Sequence, residues 1–200
     1  MRLDAPDLGN DIVSLEVFGR QHHEMLREAD PADCMWRWLP ALPCGTSFEA
    51  YLDYAECEKV KEKIVPFAVF RTTDRAFAGI TAYVLVDRLH RRVRITSTWH
   101  PEPMRGTLVF PATQVALIKR ALDWGARRIA WTLDTRNASA IAAFARLGAK
   151  HEGTVRSFMR MTDGTWADHH IFAMTRDEAH NTVSSIEELI KAREGFAERS

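Results

Sequence analysis

The stretch TWHPEPMRGTLVF (98–110), PATQVALIKRALDWGA (111–126) and RRIAWTLDTRNASAIAAFARLGAKHEG (127–153) decides the fold. An extended segment ends at Trp99, and a loop then carries Arg105, Gly106 and Thr107. Val109, Ala112, Val115, Ala116, Ile118, Leu122 and Trp124 recur at three-to-four-residue spacing, and Gly125 sits where a left-handed residue ends a helix. A short apolar strand runs to Asp134, and Asn137 opens a second helix. The unit is strand–loop–helix–strand–helix. Its first loop suits an anion: glycine lets backbone amides turn toward a ligand, and the helix just beyond adds unpaired N–H groups and the positive end of its dipole. A phosphate is the natural guest.

Around this unit the composition is that of a globular domain. The 200 residues are 46% hydrophobic, enough for one core. Lysine plus arginine and aspartate plus glutamate both number 27, so no global field draws the chain to nucleic acid or to an anionic membrane, and neither is expected as a partner. Cys34, Cys44 and Cys57 have neither metal-type spacing nor a pairing framework, and no apolar run reaches membrane-spanning length. The expectation is a cytoplasmic protein with free thiols and no metal. The division expected is a lead-in over 1–11, one domain over 12–178 and a helical extension over 179–200.

Outward from the centre, residues 12–18 read as a first strand and 21–28 as a helix. His22 and His23 stand at the start of that helix, in a surface or capping role. The segment 31–43 is dense in aromatics, including Trp36 and Trp38. Residues 47–63 are helical, with Ser47 as N-cap and a charged face from Glu56 to Lys63. Strands follow over 64–71, 76–86 and 92–99. In the last of these, Val93, Ile95, Ser97 and Trp99 form a core face, while Arg94, Thr96 and Thr98 form a polar one. Residues 155–161 and 166–174 make a terminal hairpin around Asp163-Gly164. A last helix spans 183–200, capped by Ser184 or Ser185, and packs on the domain in preference to pairing with another subunit.

From Thr98 to Phe172 the chain resembles the GCN5-related N-acetyltransferase (GNAT) superfamily, and within it the branch similar to bacterial ribosomal-protein N-terminal acetyltransferases. The matching pieces are Thr98-Trp99 with Arg105 to Thr107, Gly125 to Arg128, Trp131 to Asn137, Arg146 to Ala149, Glu152 to Arg156 and Met159 to Asp168. The resemblance implies an α/β fold with a single mixed sheet of about six to seven strands, splayed at a parallel pair and flanked by helices. It implies acetyl-CoA as cosubstrate, an amine acceptor that attacks the thioester directly, and a monomer or homodimer. Cofactor contacts would come from Trp99, His100, Arg105, Gly106, Thr107, Leu108, Val109, Asn137 and Phe144. Trp36 and Trp38 would either shape the acceptor pocket or fill a gap beside the sheet, and one of His169 and His170, taken as His170, would face the acceptor.

Departures from the family pattern concern the loop and the acid. Leu108 and Phe110 stand where small residues are diagnostic, and Leu108 is placed to crowd the pyrophosphate or push the loop outward. Phe144 occupies the position of the usual tyrosine acid, and Ala140 that of the serine used by some relatives. For the base, His100 and Glu102 are candidates against a reading of both as solvated loop residues. The implied activity is acetyl transfer to a primary amine of a small molecule or a protein N-terminus. The alternatives are an acyl-CoA-binding protein with little turnover, and transfer of a longer acyl group.

Overall fold

The computed structural model describes residues 3, 8–29, 38–42, 47–61 and 64–197. Its strands are β1 (Leu8–Gly9), β2 (Val13–Val17), β3 (Ile64–Arg71), β4 (Phe77–Asp87), β5 (Arg92–Trp99), β6 (Arg128–Asp134), β7 (Lys150–Arg160) and β8 (Trp166–Thr175). The helices are α1 (His23–Ala29), α2 (Phe48–Val60), α3 (Val109–Trp124), α4 (Ala138–Arg146) and α5 (Arg176–Ala197). The strands form one eight-stranded sheet in the order β1-β2-β3-β4-β5-β6-β8-β7. Every neighbouring pair is antiparallel except β5 and β6. The count exceeds the expected six to seven, and part of the excess is β1, which pairs with β2 from within the stretch read as a lead-in.

The sheet separates two cores. On one face the main cluster joins Val93, Ile95, Ile129, Trp131, Phe172 and Met174 to the apolar stripes of α3 and α5. On the other, Phe70, Ala68 and Ile80 meet Leu26 of α1 and Leu52 of α2. Each fully buried aliphatic or aromatic side chain contributes on the order of 1.5–3 kcal/mol. α3 forms as its apolar spacing requires and stops at Gly125, whose φ of 97° closes the helix in the left-handed region.

Three local expectations are corrected. His22 takes the capping role and not the surface one: its Nδ1 accepts the Gly19 N–H at the N-cap, but the residue is 2% exposed and its ring lies beside Phe18 and Phe70. α5 begins at Arg176, seven residues before the serine-capped start, because Glu178 accepts the Thr175 N–H and caps the helix directly after β8. It packs on α3 through Ala179, Val183 and Ile190, with Lys119 paired to Glu187. The third correction is the phase of β5. Opposite Thr81 of β4 the ladder steps from Ile80↔Trp99 to Ala82↔Thr96, a bulge in which Ser97 takes φ 51°. The alternation slips by one residue there. Thr98 turns to the α3 face, whereas Trp99 packs with the Phe70–Ile80 cluster instead of with Val93 and Ile95.

Candidate active site

The site is built where the one parallel pair comes apart. β5 and β6 are in register at Arg92↔Arg128, Val93↔Ile129 and Arg94↔Ala130, and pairing ends there although both strands continue. Backbone groups from Ile95 onward on β5 and from Trp131 onward on β6 thus lose the strand neighbour that would satisfy them. Side chains span the gap on its α3 side. Trp131 Nε1 donates to Gln114 Oε1 at 3.1 Å, Gln114 Nε2 donates to Thr98 Oγ1 at 3.3 Å, and Thr98 Oγ1 lies 2.9 Å from Thr81 Oγ1. Gln114, fully buried in α3, therefore ties β6 to β5 across the opening. On the opposite side, the Tyr51 hydroxyl is bonded to Ser97 at the bulge, and burial raises its pKa against that bond, so the phenol stays protonated.

Beyond β5 a 3₁₀ turn, Glu102–Met104, leads to Arg105, Gly106 and Thr107, all exposed. Gly106 is exposed with φ 72°, and a Cβ there would meet nothing within 4 Å among the described residues. Arg105 Nε donates to the His100 carbonyl at 2.9 Å. Thr107 Oγ1 donates to the Met104 carbonyl and accepts the Val109 N–H, which ties the turn to the start of α3. Of the four leading amides of α3, Pro111 supplies none and Val109 is taken, so helix geometry leaves Leu108 and Phe110 as donors. The bulk at 108 and 110 lies inward: both side chains are partly buried against the main core, and the Phe110 ring meets Phe144 edge-on at 5.2 Å. Leu108 is turned onto the core, whereas the sequence reading anticipated that it would crowd the pyrophosphate or push the loop outward.

Other predicted residues divide between the opening and the core. Val109 is buried, and Phe144 packs on Trp131 as well as Phe110. Asn137 Oδ1 accepts the Ala140 N–H and caps α4 beside the end of β6. Asp134 is 4% exposed, and it orders the turn after β6 by accepting the Arg136 N–H at 2.8 Å and the Arg136 guanidinium. Burial alone would raise its pKa, but these Arg136 bonds hold it below the ordinary carboxylate value. Glu102 is exposed, Trp38 is half-buried, and Trp36 lies outside the described residues.

Two histidines are not where they were expected. His100 is 7% exposed beneath the loop. Its Nδ1 lies 2.6 Å from the Ala78 carbonyl, which can only accept, so the ring N–H is assigned there, and the buried Nε2 has no hydrogen-bond partner among the described residues. Burial pulls its pKa to about 4, with the nearby Arg105 charge acting in the same direction and the Ala78 bond opposing. A ring so placed is a neutral support and not a solvated base. His170 bonds Thr154 and His151 within the β7–β8 hairpin and shares the Phe172 side of the sheet. The residue turned to the other face is His169, in register with Asp134.

The His100 environment makes stability pH-dependent. The unfolded imidazole takes a proton near pH 6.5, while the folded one resists until about pH 4, so stability falls as pH drops through that window. The loss from this residue is roughly 3 kcal/mol by linkage. Urea unfolding at pH 7.0, 5.5 and 4.5 checks it: His100→Asn will flatten the acid limb, and an unchanged slope would remove His100 as its source.

Reading the sequence missed Gly79, Gln114 and Tyr51. Gly79 sits in β4 with φ 131°, and a Cβ there would lie 2.0 Å from the Trp99 carbonyl oxygen. A glycine inside a β-branched and aromatic run was the available signal. A glutamine on the apolar stripe of α3 was another.

No family model and no curated protein matches the sequence. Solved structures do. A GCN5-related N-acetyltransferase from Brucella melitensis superposes with TM-score 0.79 at 20% identity, over 90% of this chain and 83% of that one. A probable acetyltransferase of the GNAT family from Chromobacterium violaceum gives TM-score 0.78 at 25% identity, over 88% and 89%. Mycobacterium smegmatis RimJ, in complex with CoA-disulfide, gives 0.71 at 20%, over 86% and 88%. With its splayed parallel pair and the anion-ready loop before α3, the chain has the fold of the GCN5-related N-acetyltransferases.

Proposed function

We propose that the protein moves an acetyl group from acetyl-CoA to a primary amine of a small molecule or a protein N-terminus, as in the ribosomal-protein acetyltransferase branch. The observation that carries this reading is the parting of β5 and β6 after Arg94 and Ala130, directly beside a loop whose free amides suit a pyrophosphate. The likeness to RimJ, a protein in complex with CoA-disulfide, supports the choice of cosubstrate.

The chain's own contribution is mainly positioning. Gly106 and the leading amides of α3 hold the phosphates, with Arg105 fastened to the strand end and Thr107 fixing the helix start. The unpaired edges of β5 and β6 offer backbone to the amide-bearing arm and to developing charge on the acyl oxygen. Bound acetyl-CoA supplies the thioester. Glu102, exposed at the loop, takes the ammonium proton, and water protonates the departing thiolate because Phe144 carries no hydroxyl.

Calorimetric titration with acetyl-CoA, CoA and desulfo-CoA tests the reading. Binding in the micromolar range, about −8 kcal/mol, is expected, and no binding at millimolar ligand overturns it. The phenyl ring at 144 favours a second reading, acyl-CoA binding with little turnover, which predicts the same titration and no acetylated amine in a substrate screen. Because Leu108 is turned onto the core, Leu108→Gly will leave the acetyl-CoA Kd unchanged while lowering stability by about 2 kcal/mol. A gain in affinity would show that the leucine does obstruct the phosphates.

A further inference from the structure

We propose that Arg94 anchors an anionic group on the acceptor, so that the amines this protein acetylates carry a carboxylate or a phosphate. The inference rests on the acyl-transfer reading and adds the chemistry of its substrate. Arg94 is the last β5 residue in register with β6, at the point where the strands part. Its neighbours in the ladder, Val93 and Ile95, belong to the core beneath α3, so alternation puts Arg94 on the opposite face, together with Thr96 and Ala82. His169 reaches that face from β8, and Phe158 of β7 stands between the two. The Arg94 guanidinium carbon lies 5.9 Å from the Phe158 ring centre, and the Phe158 and His169 rings are 5.5 Å apart.

What distinguishes Arg94 among the described residues is partial burial with neither a carboxylate nor a hydrogen-bond acceptor at its guanidinium, whereas half-buried Arg176 and buried Arg120 donate to backbone carbonyls. Arg75, Arg92, Arg128 and Arg136 are paired with Glu16, Asp87, Glu152 and Asp134 respectively. Arg94 is half-buried, and among the described residues it has no carboxylate within salt-bridge distance. A cation taken partly out of water without a partner is unfavourable, and it is retained where an anion arrives with a ligand. A guanidinium presents a planar fork suited to carboxylate or phosphate oxygens, and its charge persists in this environment. On the same face, Leu39 packs with Phe70 and Ile80, and its segment is tied to the β7–β8 turn through the bonds from Ala41 N to Arg160 O and from Thr162 N to Leu39 O. The outcome is a cationic, aromatic-walled floor next to the acyl site.

Matched acceptor pairs test the proposal: glycylglycine against glycylglycinamide for a carboxylate, and phosphoethanolamine against ethanolamine for a phosphate. At least one anionic member should exceed its neutral partner in kcat/KM by about tenfold or more, the size of one well-made charged contact, and which pair responds identifies the anion. Arg94→Ala should abolish that preference through KM, Arg94→Lys should restore part of it, and the acetyl-CoA Kd should not move. Melting temperature separates a structural role: removing an unpaired, desolvated charge should not lower it. Equal rates within both pairs, or an equal loss on neutral and anionic amines in Arg94→Ala, overturns the anchor. If acetyl-CoA binds but no amine is turned over, calorimetry of the same pairs on the desulfo-CoA complex decides, and equal binding overturns it. Failure of acetyl-CoA itself to bind marks instead the failure of the acyl-transfer reading, and the anchor falls with it.

Discussion

Gly79→Ala will cost the protein on the order of 4 kcal/mol and will disorder the end of β5. A residue with φ 131° lies where side chains are strained, which alone accounts for about 1–3 kcal/mol. The added methyl would also sit 2.0 Å from the Trp99 carbonyl oxygen, 3.0 Å from its carbon and 2.9 Å from His100 Nδ1. Two of these atoms are backbone, so relief requires β5 to move away from β4 where Ile80 pairs with Trp99. Overpacking of this kind adds another 1–3 kcal/mol or so. For a chain of this length the melting temperature should fall by about 10 °C, and acetyl-CoA binding should weaken because the displaced segment is the wall of the opening. Gly106→Ala is the control: φ is again positive, at 72°, but among the described residues nothing lies within 4 Å of the added methyl, so only the backbone penalty of about 1–2 kcal/mol applies. Equal melting temperatures for the two variants would show that the contact at Gly79 does not constrain the fold.

That contrast marks the limit of what the sequence makes legible. α3 was readable because its apolar spacing and Gly125 are local signals that agree with the global fold, and β3, β4 and β5 were readable from composition and flanking turns. The expected ranges for these strands fall within a residue of those observed. The bulge at Ser97 was not readable, because it depends on what β4 places opposite. One inserted residue moved Thr98 and Trp99 to faces opposite to those the alternation assigned. The insertion of β8 between β6 and β7 is likewise non-local. At the site, the substitutions at 108, 110 and 144 were visible as departures, but the direction of their side chains was decided by packing. Asn137 was recognised as a cap because its partner is three residues away. Gln114 was passed over because its partners are 16 and 17 residues away, on two strands.

Gln114→Leu will destabilise the protein by about 2–4 kcal/mol, although it exchanges a polar side chain for an apolar one of similar size in a buried position. The indole N–H of Trp131 would lose its acceptor in a place water does not reach, and an orphaned buried donor costs about 1–3 kcal/mol. Thr98 keeps its bond to Thr81, so its share of the loss is smaller. The remainder comes from the opening itself. Below Arg94 and Ala130 the strands are held by their backbone ladder, whereas above it the cross-link on the α3 side is the chain Trp131–Gln114–Thr98. Without it the spacing between β5 and β6 loses its brace, and acetyl-CoA affinity should fall together with stability. A double-mutant cycle with Trp131→Phe isolates the bond, since phenylalanine removes the donor while keeping an aromatic ring in the core. Once the indole N–H is gone, Gln114→Leu should become cheaper by about 1–2 kcal/mol in urea unfolding. If the two losses simply add, the glutamine acts by packing alone and the width of the opening is set elsewhere.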